Sequence, residues 1–257
     1  MASKADYPNI NMEDSQQFRQ VVQNVHTMFN RTSPEDVAKG MQWYDVANEA
    51  VAKGIRGKNM DPLSGAGLVA AVSPGMDWDT HNIGAFRELH SLRQQHWDAL
   101  AAGDRSPVLG MSINRASTSD LLKAGRIMAG EHVDTVLSPQ TAPKTNSFAH
   151  NINLEEGPVT IDGRAHDIGA NRMQGWQMDR GISSAALKTG KTTRYEHFAD
   201  AYRGATQSLN EEHGTSMAPF QTQAVTWQGG KSHELSFPTK KGTPRVKGVT
   251  RTGQSYV

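Results

Sequence analysis

A lysine and an aspartate stand eighteen residues apart in the stretch 141–168, TAPKTNSFAHNINLEEGPVTIDGRAHDI. Thr141 is expected to cap a helix, with Pro143 in its first turn, where a missing N–H costs nothing. Lys144 then falls among that helix's unpaired N–H groups, at the positive end of its dipole, an odd place for a structural cation. The dipole disfavours the charged ammonium there, and covalent chemistry through an amine needs the neutral form. Downstream, the apolar, β-branched run Val159-Thr160-Ile161 is closed by Asp162. A carboxylate fixed at such a point can stabilise positive charge developing on a substrate. Both residues also have a plain structural reading: a solvated helix end for the lysine and a helix cap for the aspartate.

A second stretch, 68–89, reads LVAAVSPGMDWDTHNIGAFREL. Ser73 follows an apolar helix-forming segment, Asn82 comes nine residues after it, and Ala85 follows. Together, Ser73…Asn82…Ala85 and Lys144-Thr145…Asp162…Arg164…His166 resemble the helix-hairpin-helix superfamily of base-excision DNA glycosylases, of the endonuclease III type. The resemblance covers about residues 60–170. The chain is also similar to a group of small bacteriophage proteins that share the Ser-Pro…Trp…Asn and Val-Thr-Ile-Asp pattern.

The resemblance implies an all-α, two-lobed fold with a degenerate helix-hairpin-helix, and double-stranded DNA as partner. It implies a catalytic pair, Lys144 and Asp162. It assigns DNA contacts to Ser73, Gly75, Met76, Trp78 and Asn82 in the first stretch. In the second it assigns them to Thr141, Thr145, Arg164 and His166. The turn 73–78 would face the minor groove. Gly75 occupies the place of the family's usual glutamine, so Met76 or Trp78 is expected as the apolar wedge; Trp78 packed back onto the core is the alternative. The chain departs from the family at the hairpin, where Gln140 to Ala142 holds no glycine in place of Gly-x-Gly. It has no cysteine, which excludes the iron–sulfur cluster many members carry. No other cofactor is expected.

The elements that must position these residues are helical by pattern. Asp14-Ser15 opens a helix carrying Phe18, Val21, Val22, Val25 and Phe29 near helical spacing. Ser33-Pro34-Glu35-Asp36 starts a second, reaching about Lys53, with Trp43 and Tyr44 read as core or lobe-contact residues. Residues 63–72, LSGAGLVAAV, match a GxGxxA dinucleotide pattern, but Asn59-Met60-Asp61-Pro62 is no strand, so the small residues are read as close helix packing. Asp79 or Thr80 is expected to cap one long helix to Leu100. Residues 102–120 read as an exposed connection, and Ser119 or Asp120 as the start of the next helix. Residues 194–213 form a helix with the stripe Tyr195, Phe198, Ala201, Tyr202 and Leu209. Pro219 opens a short last helix whose Trp227 is read as core. Residues 188–193, KTGKTT, are similar to a phosphate-binding loop but have Ala185 where that loop needs glycine.

Composition bounds the rest. The 257 residues suffice for a large core, and 36% are hydrophobic, with 24 glycines and 11 prolines marking a loop-rich chain. The expected division is an arm at 1–14, a helical body at 15–237 in two lobes, and a basic tail at 238–257. No apolar run of about 18 residues exists, and the N-terminus lacks a signal-peptide core, so no membrane is expected and the location is read as cytoplasmic, the host's if phage-encoded. A net charge of +1 gives no global nucleic-acid footprint, so affinity for DNA must come from local patches such as Lys240, Lys241, Arg245, Lys247 and Arg251 of the tail. The ten histidines show no metal-ligand spacing. Two other functions stay open beside the glycosylase: a phage enzyme that modifies a nucleobase on the same fold, and a non-catalytic DNA-binding or virion-associated protein.

Overall fold

Short polar side chains set several of the helix starts among the described residues. Asp14 accepts from the amides of Gln16 and Gln17 at 2.7 and 3.2 Å and opens α1, Ser15–Arg31. Ser33 accepts from the Asp36 amide at 3.2 Å at the start of α2, Pro34–Ile55. Asp61 accepts from the Ser64 amide at 2.9 Å and starts α3, Pro62–Val72. Each supplies an acceptor to a first-turn amide that has no partner within the helix. The structure is a computed structural model that describes residue 11 and residues 14–74, 83–171 and 194–236. The remaining helices are α4, Ile83–Ser91; α5, Gln94–Ala101; α6, Thr118–Met128; α7, Val133–Val136; α8, Pro143–Ile152; α9, Gly163–Gly169; α10, Arg194–His213; and α11, Pro219–Ser236. The protein is all-α, with no strand among the described residues. None of the described helices is long and apolar enough to cross a membrane.

The chain forms two units, one from residues 1–42 with 161–257, the other from 43–160. In the first, α1 packs on α9, α10 and α11. The stripe Val21, Val25 and Phe29 is buried as its spacing requires. Tyr195, Phe198, Ala201, Tyr202 and Leu209 of α10 are all buried, as the sequence pattern indicated. A Cβ at Gly40 would run into the Val225 backbone, so α2 and α11 meet there at glycine distance.

The second unit is built around α3, which is buried on every side from Gly65 to Val72 and contacts α4, α6, α7 and α8. A Cβ on Gly65 would lie 2.7 Å from Val51, and one on Gly67 would lie 2.6 Å from Val133. The GxGxxA run is therefore a packing device that lets neighbouring helices close in on α3. Trp43 and Tyr44 both lie against Phe148 of α8, with ring centroids 5.8 and 6.3 Å away, and Tyr44 is buried.

Several boundaries differ from the sequence reading. The expected single helix to Leu100 is two, α4 and α5, broken at Leu92-Arg93, where Arg93 is extended. The carbonyls freed by the break are met by side chains: the Trp97 indole donates to Leu89 at 3.1 Å and the Lys58 ammonium to His90 at 3.3 Å. Residues 102–120 are more than an exposed connection. They hold two short 3-10 turns, Ser106–Val108 and Ser112–Arg115, that bury Val108 and Ile113 completely. Helix α6 starts two residues early because Ser117 caps the Asp120 amide at 3.1 Å. Helix α11 runs on to Ser236 rather than ending near Gly230.

Candidate functional site

Asp162 begins α9. Its backbone is extended, and its Oδ1 accepts from the Ala165 amide at 2.8 Å. The other oxygen, Oδ2, accepts from the Trp227 indole at 3.0 Å, across 65 residues of sequence. The carboxylate is thus held at both oxygens, by a helix amide and by an indole. The Arg164 guanidinium lies 4.4 Å from the Trp227 ring centroid and the Lys231 ammonium 5.5 Å from it, both within cation–π range. A fixed, half-buried carboxylate with cations close by can stabilise a positive charge at a reacting carbon or accept a proton. Trp227, read from sequence as core, is half-buried and serves this carboxylate.

The segment delivering Asp162 is set by Asn151, which is fully buried. Its Nδ2 donates to the Pro158 carbonyl at 2.8 Å, and its Oδ1 accepts from the Thr160 hydroxyl and amide at 2.8 and 3.1 Å. Beyond it, the Ile161 amide donates to the Tyr195 hydroxyl at 3.0 Å. Val159 and Ile161 are buried. The β-branched run is therefore a pinned, non-helical strap, with every named donor matched to an acceptor.

Lys144 stands second in α8, half-buried, directly after Pro143. The expected Thr141 cap is a correction: Ala142 occupies the cap position, and an alanine side chain has no acceptor to offer. The reason lies in the preceding turn. Ser138 accepts from the amides of Thr141 and Ala142 at 3.1 and 2.7 Å through its carbonyl, and from the Gln140 amide at 3.3 Å through its hydroxyl. That closure carries Thr141 one residue short of the cap and leaves its side chain exposed. It also occupies the amides of residues 140–142, where a glycine hairpin would offer its own to a phosphate.

The other predicted contacts divide. Ser73 ends α3, half-buried, its hydroxyl donating to the Ala70 carbonyl at 2.9 Å. Thr145 is buried and donates to the Ala142 carbonyl at 3.1 Å, so its side chain serves the helix start rather than a partner. His166 is a second correction: it is fully buried, stacked on Phe198 at 4.5 Å, with Nδ1 3.1 Å from Asp167. The ring packs between α9 and α10 and presents no surface to a partner. Arg164 remains a half-buried cation beside Trp227. Gly75, Met76, Trp78 and Asn82 lie outside the described residues, as do residues 188–193 and the tail 238–257. Among the described residues, no group of three His, Cys, Asp or Glu is arranged to hold a metal ion.

Two histidines of the second unit have opposite surroundings. His90 is buried beside Phe86, at a centroid distance of 4.5 Å, and neither ring nitrogen has a hydrogen-bond partner among the described residues. Burial, aided by the Lys58 charge, pushes its pKa down to about 4. His150 lies between two carboxylates, 2.8 Å from Asp134 and 2.8 Å from Glu155. Burial pulls its pKa down, but the hydrogen bonds to Asp134 and Glu155 prevail and leave it raised. Neither the Trp227–Asp162 bond nor the Asp134–His150–Glu155 cluster has a motif of fixed spacing.

No curated protein and no solved structure matches this chain. One family model does, over residues 8–232, and the chain accordingly belongs to DUF7178, a family of unknown function.

Proposed function

We propose that the protein is a DNA glycosylase with lyase activity, excising a modified or damaged base from duplex DNA. The observation that carries this reading is the anchoring of Asp162 by Trp227 and the Ala165 amide, which fixes an acidic oxygen pair at the start of α9. Lys144, half-buried in a first turn that lacks a side-chain cap, supports it as the amine. A base within a duplex is out of reach, so the enzyme flips it, at a cost of about a few kcal/mol. As the N-glycosidic bond breaks, positive charge grows on the sugar and the ionised Asp162 stabilises it. The Lys144 amine, after giving up its ammonium proton, forms a bond to C1′ while the base departs with the bonding pair and takes up a proton. Collapse of this adduct opens the sugar to a Schiff base, from which strand scission follows by elimination.

Borohydride trapping on a duplex containing an abasic site tests this directly, because it removes the unknown base from the question. A covalent adduct with the native protein, absent in Lys144→Ala, is the expected result. Tight duplex binding without any adduct would sink the lyase reading.

A second reading, a non-catalytic DNA-binding protein, is favoured by one observation. The turn amides of residues 140–142 are all directed to Ser138, which removes the phosphate contact of a glycine hairpin. Duplex binding unchanged in both Lys144→Ala and Asp162→Asn, with no product from any base, would select it.

A further inference from the structure

His150 lies in the last turn of α8, with a side chain only 12% exposed. Its Nε2 is 2.8 Å from Asp134 Oδ1 on α7, and its Nδ1 is 2.8 Å from Glu155 Oε2 in the strap after α8. A neutral imidazole has one N–H donor and one acceptor nitrogen. Ionised carboxylates only accept, so satisfying both contacts requires both ring nitrogens to be protonated. The negative end of the α8 dipole favours the same cation.

The surroundings contain little else that titrates. On the α7 side, Asp134 also accepts from Asn146 at 2.7 Å, and the His132 ring stands 3.8 Å from its other oxygen. On the strap side, Glu155 also accepts from Asn153 at 3.1 Å. Helix α3, packed along α8, has no ionisable side chain in its sequence. Trp43, Tyr44 and Asn48 of α2, which touch α8 or its end, are all uncharged. The balance is one cation between two anions, with a second histidine at the edge.

We infer that His150 is a proton-operated clamp: as imidazolium it ties both α7 and the 153–160 strap to α8, and loss of one ring proton releases one of those ties. The amide contacts from Asn146 and Asn153 remain after that loss, so the release loosens α7 and the strap without dismantling them. The raised pKa of His150 sets the direction. The tie is fully present below the unfolded histidine value of about 6.5 and is lost as pH rises through the folded value. The clamp grips two segments, α7, which precedes the turn before Lys144, and the strap that leads to Asp162. It therefore makes their order depend on pH on the neutral-to-alkaline side, whatever reaction they serve.

The test is a nitrogen-detected titration of the histidine rings in the native full-length protein, from about pH 5 to about pH 9. His150 is expected to show two protonated ring nitrogens at the acid end and to titrate later than an unfolded histidine. Amide exchange in 133–146 and 153–160 should rise beyond ordinary base catalysis, by about tenfold for each unit of that delay. Asp134→Asn should abolish the excess in 133–146 and Glu155→Gln the excess in 153–160. A neutral His150 ring at the acid end, or exchange that follows base catalysis alone, overturns the proposal. The native titration decides even where a variant fails to fold.

Discussion

The starts of α8 and α9 present the same problem with opposite solutions. Both follow non-helical segments, and both place a charged residue at or beside the cap. At α9, Asp162 accepts from a helix amide and from Trp227, and its negative charge suits the positive end of the dipole. At α8, the cap is an alanine, the proline removes one amide, and the nearby charge is the unfavourable sign. The first start is what stability alone selects. The second departs from what stability selects, so a substitution at Lys144 separates function from folding more cleanly than one at Asp162, whose contacts also hold the fold together.

Four experiments would break or sharpen this contrast. The largest effect is expected from Lys144→Ala, which should remove the borohydride adduct entirely while changing the free energy of unfolding in urea by no more than about 0.5 kcal/mol. A large loss of stability would instead make Lys144 structural. Next, Asp162→Ala should cost about 1–2 kcal/mol in urea unfolding, through the lost cap and the stranded Trp227 N–H. Asp162→Asn keeps one acceptor, enough for the Ala165 amide or the Trp227 indole but not for both, and should cost less than Asp162→Ala, about 1 kcal/mol at most, while lowering base release by about a hundredfold. If both variants retain activity, the aspartate is only a cap. Trp227→Phe leaves Asp162 charged but loosens it, for about 1 kcal/mol of stability, and kcat should fall more than KM rises. The smallest effect is Ala142→Asp, expected to add about half a kcal/mol at most, because the Ala142 backbone is not extended as a good cap requires.

A fifth expectation concerns acid. His90 binds no proton when folded until about pH 4. The unfolded chain takes one up near pH 6.5, so stability falls as pH drops between those values. Urea midpoints at about pH 7 and about pH 5 should differ in the native protein, and the difference should shrink in His90→Leu.

How much of this was readable in the chain follows from how local each determinant is. Caps and stripes are local, so α1, α3 and α10 were legible from Asp14, the small residues after Asp61, and the Tyr195-to-Leu209 stripe. The break between α4 and α5 was not, because its carbonyls are met by Lys58 and Trp97, outside the helix they interrupt. Asp162 was legible as a cap, but Trp227 as its partner was not, since 65 residues separate them. Thr141 misled because a local propensity lost to the Ser138 turn, and His166 because a helix of seven residues does not show in its sequence which side is buried.

The division of the chain has a consequence for the order in which it is made. Residues 43–160 form one unbroken unit, whereas the other unit joins 1–42 to 161–257. Helix α1 leaves the ribosome first, yet α9, α10 and α11, which cover its buried Val21, Val25 and Phe29, come last. At about 5–20 residues per second, the first helix waits roughly ten seconds or more for them. Until then that apolar stripe lacks the helices that bury it, whereas the central unit, made in one run, can close without waiting for residues 161–257.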